Sequence, residues 1–81
     1  MKAFPTVTRQ RVNVRLQSSQ PYGGQLLLRN ANGQALDIRP VQLTVGTTDE
    51  QIDVHQLPAG VYYLQLVIEG QLIGTQPVIV E

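Results

Sequence analysis

The residues able to do chemistry are few. His55 is the only histidine, and there is no cysteine. Thiolate metal ligation, disulfide cross-links and a multi-histidine metal centre are therefore excluded. A lone imidazole needs a nucleophile within reach. Ser18 and Ser19 lie far along the chain in a polar loop, and nothing has the spacing of a nucleophile elbow. His55 thus reads as a surface residue. Asp49, Glu50 and Asp53 cluster around a predicted loop. Calcium takes about six to eight oxygens in a set geometry, and these three lack Gly or Asn at calcium-loop spacing, so they read as a solvated turn. Arg9, Arg11 and Arg15 fall on one face of the first predicted strand. That face could meet an acidic partner or a surface glycan, but it reads first as a solvated face that discourages edge pairing. No exposed aromatics interleave with it, so stacking on single-stranded nucleic acid is unsupported. No acid, base and nucleophile assemble, and no cofactor is implied; the chain does not read as an enzyme.

Composition bounds the partners. The chain has 81 residues, enough for a single domain over 1–81, and six Lys/Arg balance six Asp/Glu. Zero net charge argues against nucleic acid or an anionic membrane as partner. No apolar run approaches the roughly 20 residues of a membrane helix, and Met1 to Pro5 lacks the apolar core of a secretory signal. An apolar fraction of 42% is too high for a disordered chain.

The elements that must carry these residues are strands. Val, Ile, Leu and Thr recur, Gly and Pro punctuate the chain at short intervals, and no stretch has helical period. Arg11–Leu16 alternates, with Val12, Val14 and Leu16 on one face. A loop over 18–24 follows. Gln25–Arg29 turns Leu26 and Leu28 inward, with Leu27 also apolar. Asn30-Ala31-Asn32-Gly33 is a turn in which Asn and Gly tolerate positive φ. Gln34–Arg39 is expected to turn Leu36 and Ile38 inward and Asp37 and Arg39 outward, with Pro40 ending it. Val41–Val45 alternates again, Gly46–Glu50 reads as a polar loop, and Ile52 and Val54 face in. Leu57-Pro58-Ala59-Gly60 is the sharpest punctuation, Pro fixing φ and Gly supplying a conformation other residues avoid. Val61–Ile68 follows, with Tyr62, Leu64, Leu66 and Ile68 on the core face and Val61, Tyr63 and Val67 on the other. An outer row of that kind, if left exposed, is a candidate docking strip. Tyr62 can hydrogen-bond back to upstream backbone as a structural corner. Glu69-Gly70-Gln71 is a hairpin turn. Leu72–Val80 is the last strand, at an edge or bulged because of Gly74 and Pro77, and its open edge offers strand addition or a dimer contact. About seven strands and fifteen to twenty buried aliphatic side chains predict an antiparallel β-sandwich of immunoglobulin-like type.

The stretch Leu57-Pro58-Ala59-Gly60-Val61-Tyr62-Tyr63-Leu64-Gln65-Leu66 resembles the late motif of the C-terminal sorting domain of the type IX secretion system of Bacteroidetes-type bacteria. In that family a leucine-proline-alanine-glycine turn leads into a Gly-x-Tyr strand. Phe4-Pro5 lies where the family has a Tyr-Pro-Asn-Pro opening. Leu26 to Leu36, with its turn at Gly33, resembles the family's strand–turn–strand, and Glu69-Gly70 before a final apolar strand matches its ending. The resemblance spans residues 4–80. Thr6 and Val7 depart from the opening, and Gln76 stands where a basic residue usually precedes the final apolar run. The resemblance implies a folded, non-catalytic address label carried behind an N-terminal cargo domain. It would be recognised by secretion translocon components and a sortase-like peptidase, and it would direct the cargo through the periplasm and outer membrane to the cell surface or the medium. The alternative reading is an accessory immunoglobulin-like spacer or adhesion module of a secreted protein.

Overall fold

Strict alternation of apolar and polar side chains lets each strand bury one face and wet the other, and this pattern decides the layers. The computed structural model describes residues 1–81. Eight strands run β1 (Lys2–Phe4), β2 (Val7–Thr8), β3 (Arg11–Ser18), β4 (Tyr22–Asn30), β5 (Ala35–Leu43), β6 (Gly46–Asp53), β7 (Gly60–Ile68) and β8 (Gln71–Val80). They form a three-stranded sheet in the order β1-β3-β6 and a five-stranded sheet in the order β2-β8-β7-β4-β5. All pairs are antiparallel except β2 with β8, which is parallel. The result is an all-β two-layer sandwich, compatible with an immunoglobulin-like arrangement.

Between the layers lies one cluster of fifteen buried apolar residues. Val12, Val14, Leu16 and Ile52 come from the three-stranded sheet, with Val54 just past the end of β6; Leu26, Leu28, Leu64, Leu66 and Val78 are among those from the other. No polar side chain is buried. The core side chains expected on β3, β4 and β7 are where the alternation places them. Leu27 is also buried but outside the cluster, because it faces out beside Ile38 and Gln65 and its neighbours cover it.

Several expectations are corrected. Pro40 does not end a strand: β5 runs through it from Ala35 to Leu43. β5 is the sheet's last strand, and an edge position does not need the N–H that proline lacks. Once β5 is continuous, its period of two is set by buried Val41 and Leu43. Asp37 and Arg39 then fall on the inward side opposite Leu28 and Leu26. Ile38 therefore faces out and is 56% exposed, and Leu36 is the extra residue of a bulge between the Leu28 and Arg29 pairings. Gly46–Glu50 is not a loop but the first half of β6, paired with β3 along its whole length; its threonines suit a strand despite their polarity. Tyr22, Gly23 and Gly24 belong to β4, not to the preceding loop. Gly24 permits a close approach, since a Cβ there would lie 2.5 Å from the Val67 carbonyl oxygen. The strand count is one more than the expected seven, because the opening segment supplies two short strands while the two expected on either side of Pro40 merge into β5. The bulge in β8 falls at Ile73, between the Leu72 and Gly74 pairings, and not at Pro77, which pairs with Tyr63.

Candidate functional site

The Leu57–Tyr62 corner is built by backbone first. Val54 N donates to Gln10 O at 2.8 Å and Leu57 N to Val54 O at 3.0 Å. Leu57 is half-buried against the core. Tyr62 enters β7 with its ring in the core, 5% exposed, and its hydroxyl donates to the Pro58 carbonyl at 2.6 Å. That bond closes the corner expected from the sequence. Pro58, Ala59 and Gly60 are exposed. The motif thus divides: Leu57 and Tyr62 face inward and serve the fold, and Pro58, Ala59, Gly60 and Val61 are left exposed. Gly60 corrects one expectation. Its φ is not in the left-handed region, and a Cβ there would meet only the Tyr62 ring, at 3.9 Å. The corner is held by Pro58 and Tyr62, without an unusual glycine conformation.

The remaining motif residues lie apart. Gly33 (φ 86°) ends the turn after β4, where the Asn30 side-chain oxygen accepts from Asn32 N and Gln34 N, both at 3.0 Å. Asn30 pairs with Tyr62, so this turn shares the corner's end of the sandwich. Gly70 (φ 77°) lies with Glu69 (φ 52°) in the β7–β8 turn, at the opposite end, where Ile68 pairs with Gly24. Phe4 pairs with Asn13 on the flank of the three-stranded sheet, and Phe4-Pro5, a cis peptide, leads the chain from that sheet to β2 in the other. The predicted residues do not converge on one pocket.

The outer face of the three-stranded sheet is polar. Arg15 bonds Asp49 at 2.9 Å and stands over the Phe4 ring at 5.5 Å. Gln51 donates to Asn13 at 3.1 Å. Arg11, opposite Asp53, shares this face with Arg15, whereas Arg9 precedes the strand. Asp49, Glu50 and Asp53 lie on β6 and not on a loop. Alternation turns Glu50 to the other side, and Asp49 and Asp53 are about 13 Å apart at the rise of a strand. His55 contacts Asp53 through its Nδ1, and His55 N donates to the same carboxylate at 3.0 Å. These bonds, the backbone one first, hold the Asp53 carboxyl below its ordinary value. Around this exposed pair stand Gln10, Arg11, Leu36, Asp37, Gln56 and Leu57, with no hydroxyl or thiol for a base to activate.

The outer face of the five-stranded sheet is different. Val61 pairs with Ile79, and Ile79 with Val7, so three aliphatic side chains lie in a row across β7, β8 and β2, each 41–45% exposed. Tyr63, 37% exposed, stands beside Pro77, and Leu72 beside Val67. Val61 and Tyr63 form the exposed strip anticipated from the sequence. Ile79 and Val7 extend it and were missed. Alternation against buried Val78 and Val80 could have found Ile79, whereas Val7 sits in a two-residue strand with no pattern to read.

No curated protein and no solved structure matches the chain. A sequence model of the family described as "Secretion system C-terminal sorting domain" matches residues 2–81, nearly the whole chain. Taken with the all-β sandwich and the Leu57–Tyr62 corner, that match makes the chain a member of the family of C-terminal sorting domains of the type IX secretion system.

Proposed function

We propose that the domain works as a folded address label with no chemistry of its own. Its N-terminal cargo crosses the inner membrane by a separate signal. The type IX translocon then receives the cargo by binding this domain, and a sortase-like peptidase at the cell surface removes it. The family membership supports the sorting role. The structural observation that carries the mode of reading is the uncharged row Val7–Ile79–Val61 with Tyr63 beside it. A contiguous exposed apolar row is a candidate contact for a protein partner. The paired charges Arg15–Asp49 and His55–Asp53 lie with the other sheet, and Arg39–Asp37 lies on β5 at the far edge of this one, so the partner that suits this strip is an apolar protein surface of the translocon. Exposed Pro58, Ala59 and Gly60 at the end of β7 are a second contact of the same reader.

The test is a reporter carrying a periplasmic signal at its N-terminus and residues 1–81 at its C-terminus, expressed in type IX-competent and translocon-deficient cells. The expected result is reporter on the surface or in the medium of competent cells only. A reporter that stays periplasmic in both would remove the sorting function and leave the spacer reading.

A further inference from the structure

Gln76 occupies the inward side of β8, opposite Leu64, half-buried at the seam where β1 of one sheet passes β8 of the other. Its side chain does what a strand residue would do. Oε1 accepts from Ala3 N at 3.0 Å, and Nε2 donates to Ala3 O at 3.1 Å. A carboxamide is suited to this because it offers both an acceptor and a donor. Lysine at this position could only donate, and an ionised glutamate could only accept. Across the sandwich, the seam between β5 and β6 is stitched by one side chain too, but there Arg39 donates to the Gln51 carbonyl alone.

The hold on β1 is otherwise slight. It pairs with β3 over three residues, Lys2, Ala3 and Phe4, and buries only Ala3, 3% exposed. After Phe4-Pro5 the chain is held by the last strand again: Ile79 N donates to Thr6 O at 2.7 Å and Glu81 N to Thr8 O at 3.0 Å. Residues 2–8 are therefore ordered by β3 and by the final residues of the chain. In a sorting domain with its cargo on the N-terminal side, this segment is on the cargo side of the fold.

We propose that Gln76 is a latch that makes the order of the cargo-side strand conditional on the last strand, so that the Lys2–Ala3 bond opens to a peptidase by release of β1 alone, the rest of the sandwich staying folded. A peptidase accepts an extended, unpaired chain, so cleavage in a strand waits for a local opening. The Ala3 N–H that Gln76 holds is the amide of that bond. The proposal rests on the reading of the domain as a removable label; its test contains no translocon, so failure of sorting and failure of the latch are read separately.

Lys2 is the only lysine in the chain, so a lysine-specific endopeptidase acting on the 81-residue protein reports the opening of this one bond. The wild-type cleavage rate is expected to be nearly constant in urea below the unfolding transition, the mark of a local opening. Gln76→Ala loses both hydrogen bonds and leaves a buried N–H unpaired, and is expected to be cut about tenfold faster or more. Gln76→Arg, which keeps a donor without adding a lysine, falls between. Val78→Ala weakens the core without touching the latch and serves as the control for global unfolding. Amide exchange in the wild type adds a second reading: Ala3 is expected to exchange faster than Val14 and Leu64. A Gln76→Ala rate equal to wild type, or raised only as far as global stability falls relative to Val78→Ala, would overturn the proposal. So would an Ala3 amide that exchanges only with the core.

Discussion

Tyr62 is the residue at which fold and motif meet. Its ring fills the core, and its hydroxyl ties the corner to Pro58. Tyr62→Phe keeps the ring and deletes the bond, so a loss of about 1 kcal/mol is expected, read as a lower urea midpoint at unchanged slope. Asp53 makes a different prediction. Its carboxylate is favoured in the fold by bonds from His55, so its folded value lies below the ordinary 3.8. A depressed acid contributes stability above its unfolded value and loses it as pH falls through the folded one. Asp53→Asn is therefore expected to be less stable than wild type at neutral pH, with the difference vanishing as pH drops below 3.8; thermal melts across that range measure it. The Tyr62 corner was legible because a tyrosine at the start of a late sandwich strand can hydrogen-bond back to upstream backbone. The Gln76 bonds were not, since they join residues 73 apart in the chain and no local pattern announces them.

Strands were legible where alternation is uninterrupted, as in Arg11–Leu16 and Val61–Ile68. They were misread where a single residue type outweighed the pattern. Pro40 suggested an end, but an edge strand tolerates it, and the error inverted the faces of Leu36–Arg39. Thr47, Thr48, Asp49 and Glu50 suggested a loop, but β6 is also an edge strand and can be polar on its wet side. Short β1 and β2 have too few residues to show a period. The β7–β8 hairpin offers a test at this scale. Glu69 and Gly70 both have positive φ, the pair of conformations that type I′ turns fill with Asn-Gly. In the left-handed region a Cβ lies too close to the following carbonyl oxygen, at a cost of about 1–2 kcal/mol, and asparagine is among the residues that visit it readily. Glu69→Asn is expected to raise stability by about 1 kcal/mol, seen as a higher melting temperature, and a lower one would refute this account of the turn.

The whole molecule separates two surfaces by sheet. The three-stranded layer presents polar and paired charged side chains to water, and the five-stranded layer presents an apolar row across β7, β8 and β2, its charges Arg29, Asp37 and Arg39 lying on β4 and β5. The sandwich between them was foreseeable from alternation and turn spacing; the partition of apolar outer surface was not, because it depends on which strands share a layer. In this account that partition lets a folded body, and not a linear peptide, be read by the secretion machinery. The most direct test compares the exported fraction of the reporter fusion for wild type and for Val61→Lys/Ile79→Lys, with melting temperatures measured in parallel. Both positions are exposed, so the fold should survive, and export is expected to fall at least tenfold. Undiminished export by the folded double variant would contradict the claim that this face is what the translocon reads.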